Sequence, residues 1–231
     1  MAALDEVAIL STWAPADEAT SGRLFREGVA KHWGGFRFVG EDEILMDAAV
    51  RAFREREADE HTSNRADLHR GVLKWSWKVF ALTAPPIPED GWLVWIDGDV
   101  EFLATPTPDF LRSAMPEWAD VAFLGRPWAY ASETGFMAYH VRRPKVCDLL
   151  AKMRETYLGG KFRQLAEWGD AGVFDACRQG MGLREHDLSE HCPEGDLHVW
   201  PQTILGAFMR HNKGPQRKRD AYGCAESGHI R

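Results

Sequence analysis

This chain lacks any apolar run long enough to span a membrane. Its longest clean run, Trp92 to Ile96, has five residues, and a spanning helix needs about 20. The amino-terminal segment MAALDEVAIL carries Asp5 and Glu6 without a basic start or a cleavage site, so no signal peptide is expected. Cysteine is scarce. Cys147, Cys177, Cys192 and Cys224 are widely spaced with no C-x-x-C pair, which argues against a disulfide framework and predicts reduced thiols in a cytoplasmic protein. Positive charge is in the minority, with 28 Lys and Arg against 35 Asp and Glu and a net charge of −7. That balance excludes a general nucleic-acid coat, which draws on clustered cations, but leaves room for a local basic patch. Repeats, low-complexity stretches and linkers are missing too. A single domain over 1–231 is expected, with 209–231 as a basic tail closing its binding site.

What is present reads as a globular chain. Apolar residues make up 45% and charged residues 27%, and the length suffices for a sizeable core. Ten tryptophans are many for this size. Each offers a flat apolar face with one donor, suited to a core and also to a sugar or a base.

The hydropathy pattern alternates strands and helices. Short apolar runs at Val7 to Thr12, 36–40, Trp92 to Ile96, Val121 to Leu124 and Gly135 to His140 read as strands. Helices are predicted over 16–33, 43–60, 69–82, 144–157 and 161–180, with Pro85, Pro86 and Pro88 ending the third. Past residue 183 the pattern weakens to loops and short elements. This alternation predicts an α/β fold, one domain with a central mainly parallel (mixed) sheet flanked by helices. Ligands of such sheets bind outside the carboxyl ends of the strands, where Thr12 and Asp97 fall.

The most informative segment is GWLVWIDGDVEFL. A bare D-x-D is a weak signal, since seventeen aspartates produce about one by chance. Its context is stronger: Asp97 and Asp99 end a fully apolar strand, with glycine between them. On an extended chain alternate side chains point the same way and address one centre. Two hard carboxylates suit Mg²⁺ or Mn²⁺, completed by phosphate oxygens and water. The competing view is a polar turn with solvated acids.

WLVWIDGDV resembles the D-x-D segment of GT-A-type glycosyltransferases, which use nucleotide-sugar donors. KWSWKVFAL is similar to the helix preceding that strand in small enzymes of this type, SETGFMAYH to the acceptor-side strand and loop, and EWGDAGVFD to a helix start that often carries a catalytic carboxylate. HNKGPQRK is similar to the late His-and-Lys segment of some of these families, although no Pro-Trp follows it here. The likeness spans roughly residues 6–220 in order, and only Asp97 and Asp99 are specific at the motif level.

The resemblance implies a metal-dependent transfer of a sugar, glucose first, from a nucleotide-sugar donor, a UDP-sugar first. Asp99 would bind Mn²⁺ or Mg²⁺ directly, Asp97 the ion, its water or the ribose, and His211 would be a third ligand. Lys213 and Lys218 would contact the diphosphate. Thr12 and Trp13 would receive the ribose and base. Lys74 and Lys78, four apart on one helical face, would approach the diphosphate or the carboxylates. Asp170 is the first candidate for the base that takes the acceptor's proton, with helix capping as its structural alternative. Glu133 is the second. If neither serves, the enzyme retains configuration.

Small enzymes of this type are similar to those of bacteriophages and bacteria, so the expected setting is cytoplasmic. The leading acceptor is a 5-hydroxymethylpyrimidine in DNA. The backbone would be held by Arg142-Arg143-Pro144-Lys145 and residues 210–219, and an extruded base would meet Trp128-Ala129-Tyr130. Polysaccharide or protein is the alternative acceptor. Two other functions compete, a metal-dependent nucleotidyltransferase and a non-catalytic carbohydrate-binding protein. The first usually shows a Gly-Ser turn at a helix start, absent here, and the second is mostly β-rich. His186, His191, Cys192 and His198 match no structural zinc spacing.

Overall fold

A computed structural model describes residues 7–11, 18–33, 37–63, 71–84, 91–129, 131–195 and 198–212. Six strands form one sheet in the order β2-β1-β3-β6-β5-β7. They are β1 (Val7–Ser11), β2 (Arg37–Phe38), β3 (Trp92–Ile96), β5 (Val121–Leu124), β6 (Glu133–His140) and β7 (Glu185–Asp187). Only β6 runs against the others: it pairs antiparallel with β3 on one side and β5 on the other, while the remaining pairs are parallel. The expected mainly parallel, mixed sheet is what forms.

Both faces of this sheet are covered, which is why β3 reads as an uninterrupted apolar run. Alternate residues go to opposite faces. Leu93, Trp95, Met137 and Tyr139 pack with Val79, Phe80 and Leu149 on one side. Trp92, Val94, Ile96, Phe136 and Ala138 pack with Phe25, Val29 and Trp200 on the other. The first face is covered by α3 (Ala48–Ser63), α4 (Val72–Leu82), α6 (Pro144–Leu158) and α7 (Asp170–Arg178), and the second by α1 (Arg23–His32) and α5 (Pro108–Ala114). Among the described residues no helix is long and apolar enough to cross a membrane.

Two expected helices are interrupted, for identifiable reasons. The 43–60 helix divides into α2 (Glu41–Ile44) and α3. Asp47 accepts from the amides of Ala49 (2.8 Å) and Val50 (3.4 Å) and so caps α3. Arg51 donates to the carbonyls of Leu45 and Met46 that end the preceding turn. The 161–180 helix is a short helical turn at Lys161–Gln164 and then α7. Gly160, at φ +71°, turns the chain, Phe162 buries against Phe53 and Tyr157, and the Tyr157 hydroxyl donates to the Trp168 carbonyl at 2.9 Å. Among the described residues, the 16–33 segment shows a wider turn at Glu18–Gly22 before α1, and the 36–40 segment is a strand only at β2.

Asp47 also pairs with Arg154 of α6. Burial pushes its carboxyl up, but the Ala49 amide and the Arg154 guanidinium outweigh that and hold it below its ordinary value. A depressed carboxyl contributes stability that is present above its ordinary value and lost as pH falls through the folded one. Asp47→Ala is expected to cost about 1 kcal/mol, or about 2–4 °C in Tm, at neutral pH. In thermal melts the difference from the unmodified protein should shrink below about pH 4.

Candidate metal and donor site

The site forms where β1 and β3 end side by side. Their parallel register sets Leu10 opposite Trp95, so the carboxyl end of β1 abuts Asp97. Thr12 and Trp13, expected just beyond it, lie outside the described residues, as do Tyr130, Lys213, Lys218 and Cys224.

Asp97 and Asp99 do converge, though not by strand alternation. The chain leaves β3 in a turn, the Val100 amide donating to the Asp97 carbonyl at 3.0 Å and the Asp97 amide to the Gly135 carbonyl at 2.9 Å. The turn, not an extended segment, brings the two carboxylates to one place. The chain then enters a two-stranded sheet, β4 (Val100–Phe102) against β8 (Met209–His211), with Val100 opposite His211. That pairing carries His211 back to the aspartates from more than a hundred residues away. Its Nε2 lies 3.1 Å from Asp99 Oδ1 and 4.0 Å from Asp97 Oδ2.

Among the described residues, Asp97, Asp99 and His211 are the one group of three or more potential ligands gathered for an ion, with one ligand atom from each within 4.8 Å of the others. Ligands about 2.1 Å from an octahedral ion stand roughly 3 to 4.3 Å apart, so the set fits one hard or borderline divalent cation after small side-chain adjustment. Two carboxylates with one imidazole suit Mn²⁺ and Mg²⁺ better than a soft metal. The zinc alternative is not assembled: His186 meets the Ser113 carbonyl at 2.8 Å and the Trp118 ring, while His191 is exposed. His198 instead sits beside His211, ring centres 5.7 Å apart. Cys147, Cys177 and Cys192 are free thiols.

Behind the aspartates, α4 delivers Lys78. Its ammonium lies 2.8 Å from Asp170 Oδ2 and 3.0 Å from Asp97 Oδ1, and donates to the Thr134 carbonyl at 2.8 Å. A lysine has three donors, and these partners engage all three. Burial alone would push Lys78 down, but Asp170 and Asp97 outweigh it and hold the ammonium well above its ordinary value. Lys74, one turn earlier, is exposed and rests on the Trp75 ring at 4.6 Å.

Asp170 is the first residue of α7, not its cap. Gly169 holds that position and no side chain caps there. The Asp170 carboxylate is 4% exposed and accepts from the Thr134 hydroxyl at 2.5 Å, in the first helical turn where a negative charge is favoured. Glu133, at the start of β6, is 3% exposed. One of its oxygens lies 3.7 Å from Arg126 and the other accepts from the Gly135 amide at 3.2 Å.

Several supporting residues were not singled out from the sequence. The Trp95 indole donates to Asp97 Oδ1 at 2.7 Å and lies under Lys78, 5.4 Å from ring centre to Nζ. Its position two before Asp97, on the same strand face, was the available signal. Trp200 packs its ring 5.1 Å from that of His211. Gly135 leaves space that a Cβ would fill, 2.8 Å from His211 Cε1. The Arg142–Lys145 segment lies at the other end of the sheet. It follows His140, which pairs with Trp92 at the start of β3, roughly 16 Å from the site at about 3.3 Å per residue. Arg143 donates to the Glu117 carbonyl and Lys145 to that of Gly182. Trp128 is half-buried against the core.

The sequence matches no family model and no curated protein. Among solved structures, the chain is similar to the crystal structure of a glycosyltransferase involved in the glycosylation of the major capsid of PBCV-1. The TM-score is 0.50 at 16% identity, covering 93% of this chain and 98% of that one. The chain therefore shares the α/β fold of that structure.

Proposed function

We propose that this protein is a metal-dependent glycosyltransferase that moves a sugar from a nucleoside diphosphate sugar to an acceptor hydroxyl. The observation that carries the reading is the convergence of Asp97, Asp99 and His211 at the carboxyl end of β3, in a chain whose fold matches a glycosyltransferase. These three residues would hold Mn²⁺ or Mg²⁺. When bound, such an ion acts as a Lewis acid, neutralising the charge that develops on the departing diphosphate.

The remaining tasks fall to the protein. Trp95 and Lys78 both fix Asp97 Oδ1, so the carboxylate is oriented before donor arrives. Asp170 is the proposed carboxylate beside the reacting sugar. Its Oδ2 is engaged by Lys78 and Thr134, so proton acceptance falls to Oδ1. Thr12 and Trp13 remain the proposed contacts to ribose and base, and Lys213 and Lys218 those to the diphosphate. UDP is the proposed carrier and glucose the first sugar to try.

For the acceptor, the DNA reading loses one of its two basic segments, because Arg142–Lys145 lies at the far end of the sheet with Arg143 and Lys145 already engaged. A hydroxyl on protein or polysaccharide is the better supported acceptor, in keeping with the capsid-glycosylating neighbour. Hydroxymethylated DNA stays in the panel.

The test is a thermal-shift titration with UDP, GDP, UDP-glucose and GDP-mannose, each with Mn²⁺ and with EDTA. Ligand at a hundred times its Kd stabilises by about 2.7 kcal/mol, roughly 5–10 °C for a chain of this size. A shift with UDP ligands that EDTA removes supports the reading, and no shift with any nucleotide overturns it. Product analysis then separates sugar transfer from nucleotidyl transfer: the first releases nucleoside diphosphate, the second pyrophosphate.

A further inference from the structure

Resting on that reading of the metal site, we propose that Glu133 is a positioning residue for His211. Its carboxylate accepts a hydrogen bond from the Nδ1–H, which keeps the proton on Nδ1, and so Nε2, with a free lone pair, is presented to the divalent ion beside Asp99.

A ring nitrogen that ligates a cation carries no proton, so ligation through Nε2 requires the neutral imidazole to hold its proton on Nδ1. His211 is 3% exposed, and its Nε2 points at Asp99 while its Nδ1 points the other way, buried without a hydrogen-bond partner. An unpaired buried donor is destabilising, so a nearby acceptor is favoured. Glu133 Oε1 stands 4.0 Å from Nδ1, and a shift of about 1 Å brings the pair to hydrogen-bond distance.

The surroundings are arranged for that contact. Gly135 separates the two side chains. A Cβ there would lie 3.0 Å from Nδ1 and 3.2 Å from Oε1, so glycine keeps the path between them open. Its amide steadies Oε1. Arg126 stands behind the other carboxylate oxygen and is itself pinned by donating to the carbonyls of Ala131 and Ser132 at 2.9 and 2.7 Å. Its backbone is left-handed, φ 71°, a conformation that a non-glycine residue adopts at a cost and that tends to mark functional sites. Both Glu133 oxygens are thus occupied, Oε1 by the Gly135 amide on the His211 side and the other by Arg126, and on this proposal Glu133 serves as a support and not as the base.

The test uses Mn²⁺ alone with the full chain, free ion being read from its electron paramagnetic resonance signal. Glu133→Ala is expected to raise the Mn²⁺ Kd by roughly 10- to 100-fold. Glu133→Gln keeps an acceptor oxygen and should restore most of the affinity. If Glu133→Ala does not fold by circular dichroism, Glu133→Asp, which withdraws the acceptor by one methylene, takes its place with the same expectation. Wild-type affinity in the Ala or Asp variant, alongside loss in Asp99→Asn, overturns the proposal. Equal loss in all the Glu133 variants does so as well, because it signals a need for charge or packing and not for an acceptor. A wild-type protein that binds Mn²⁺ no better than Asp99→Asn overturns the metal reading itself, a result distinct from both.

Discussion

Replacing Asp99 with asparagine is expected to abolish metal-dependent donor binding and to lower sugar transfer by about a thousandfold. Asp99 Oδ1 is the oxygen nearest the imidazole, 3.1 Å from His211 Nε2. An amide at that position offers a neutral oxygen or an N–H where an anionic ligand is needed. Loss of Lewis-acid stabilisation is worth several kcal/mol, and about 4 kcal/mol corresponds to a thousandfold in rate. Folding should be little affected, since the Asp99 side chain is partly open to solvent at 18% and the backbone bond from the Asn212 amide to its carbonyl is untouched. Asp97→Asn should show the same loss together with a lower Tm, because Asp97 also accepts from Trp95 and Lys78. Calorimetric titration of UDP in the presence of Mn²⁺ separates the two. If the double Asn variant keeps metal-dependent donor binding, the pair is a polar turn and the site lies elsewhere.

The second large effect concerns stability. Lys78→Met should lower stability by about 3–5 kcal/mol, the usual consequence of removing one partner from a buried ion pair. The variant leaves Asp170, 4% exposed, with only the Thr134 hydroxyl among the contacts described above, and it leaves the Thr134 carbonyl without its lysine donor. The expected fall in Tm is roughly 10 °C. The sign of the pH dependence follows from the raised lysine value. A raised cationic group contributes stability that is complete below its ordinary value of about 10.4 and lost as pH rises through the folded one. The difference between the variant and wild type should therefore be flat from pH 6 to 9 and shrink only in strong alkali. Lys78→Arg should not restore it, because a rigid fork does not match three acceptors arranged around a point charge. A Tm change under about 2 °C for Lys78→Met would show that Asp97 and Asp170 do not depend on it.

The parts of this architecture legible in the sequence are those set by local pattern. β3 and β5 fall where their unbroken apolar runs place them, because a strand covered on both faces needs no polar alternation. α4 and α6 follow from helical spacing and terminal prolines. The interruptions at 45–47 and 165–169 were hidden. In both places helix-forming residues are overruled by contacts distant in sequence, Arg154 with Asp47 and Phe162 with Phe53. The reversed direction of β6 was hidden too, since an apolar strand carries no mark of its orientation.

The candidate site divides along the same line. By itself the sequence determined that two carboxylates close an apolar strand, and that a histidine and two acids elsewhere resemble site residues. Proximity was decided only in three dimensions. The β4–β8 pairing sets His211 opposite Val100, the α4 docking brings Lys78 between Asp97 and Asp170, and β6 places Glu133 behind His211. The reason is physical. Residue spacing encodes the face a side chain takes within its own helix or strand, whereas a contact between elements depends on how several packed layers settle together. Each of these pairs is separated by many residues, and none carries a periodic signal that points to the other.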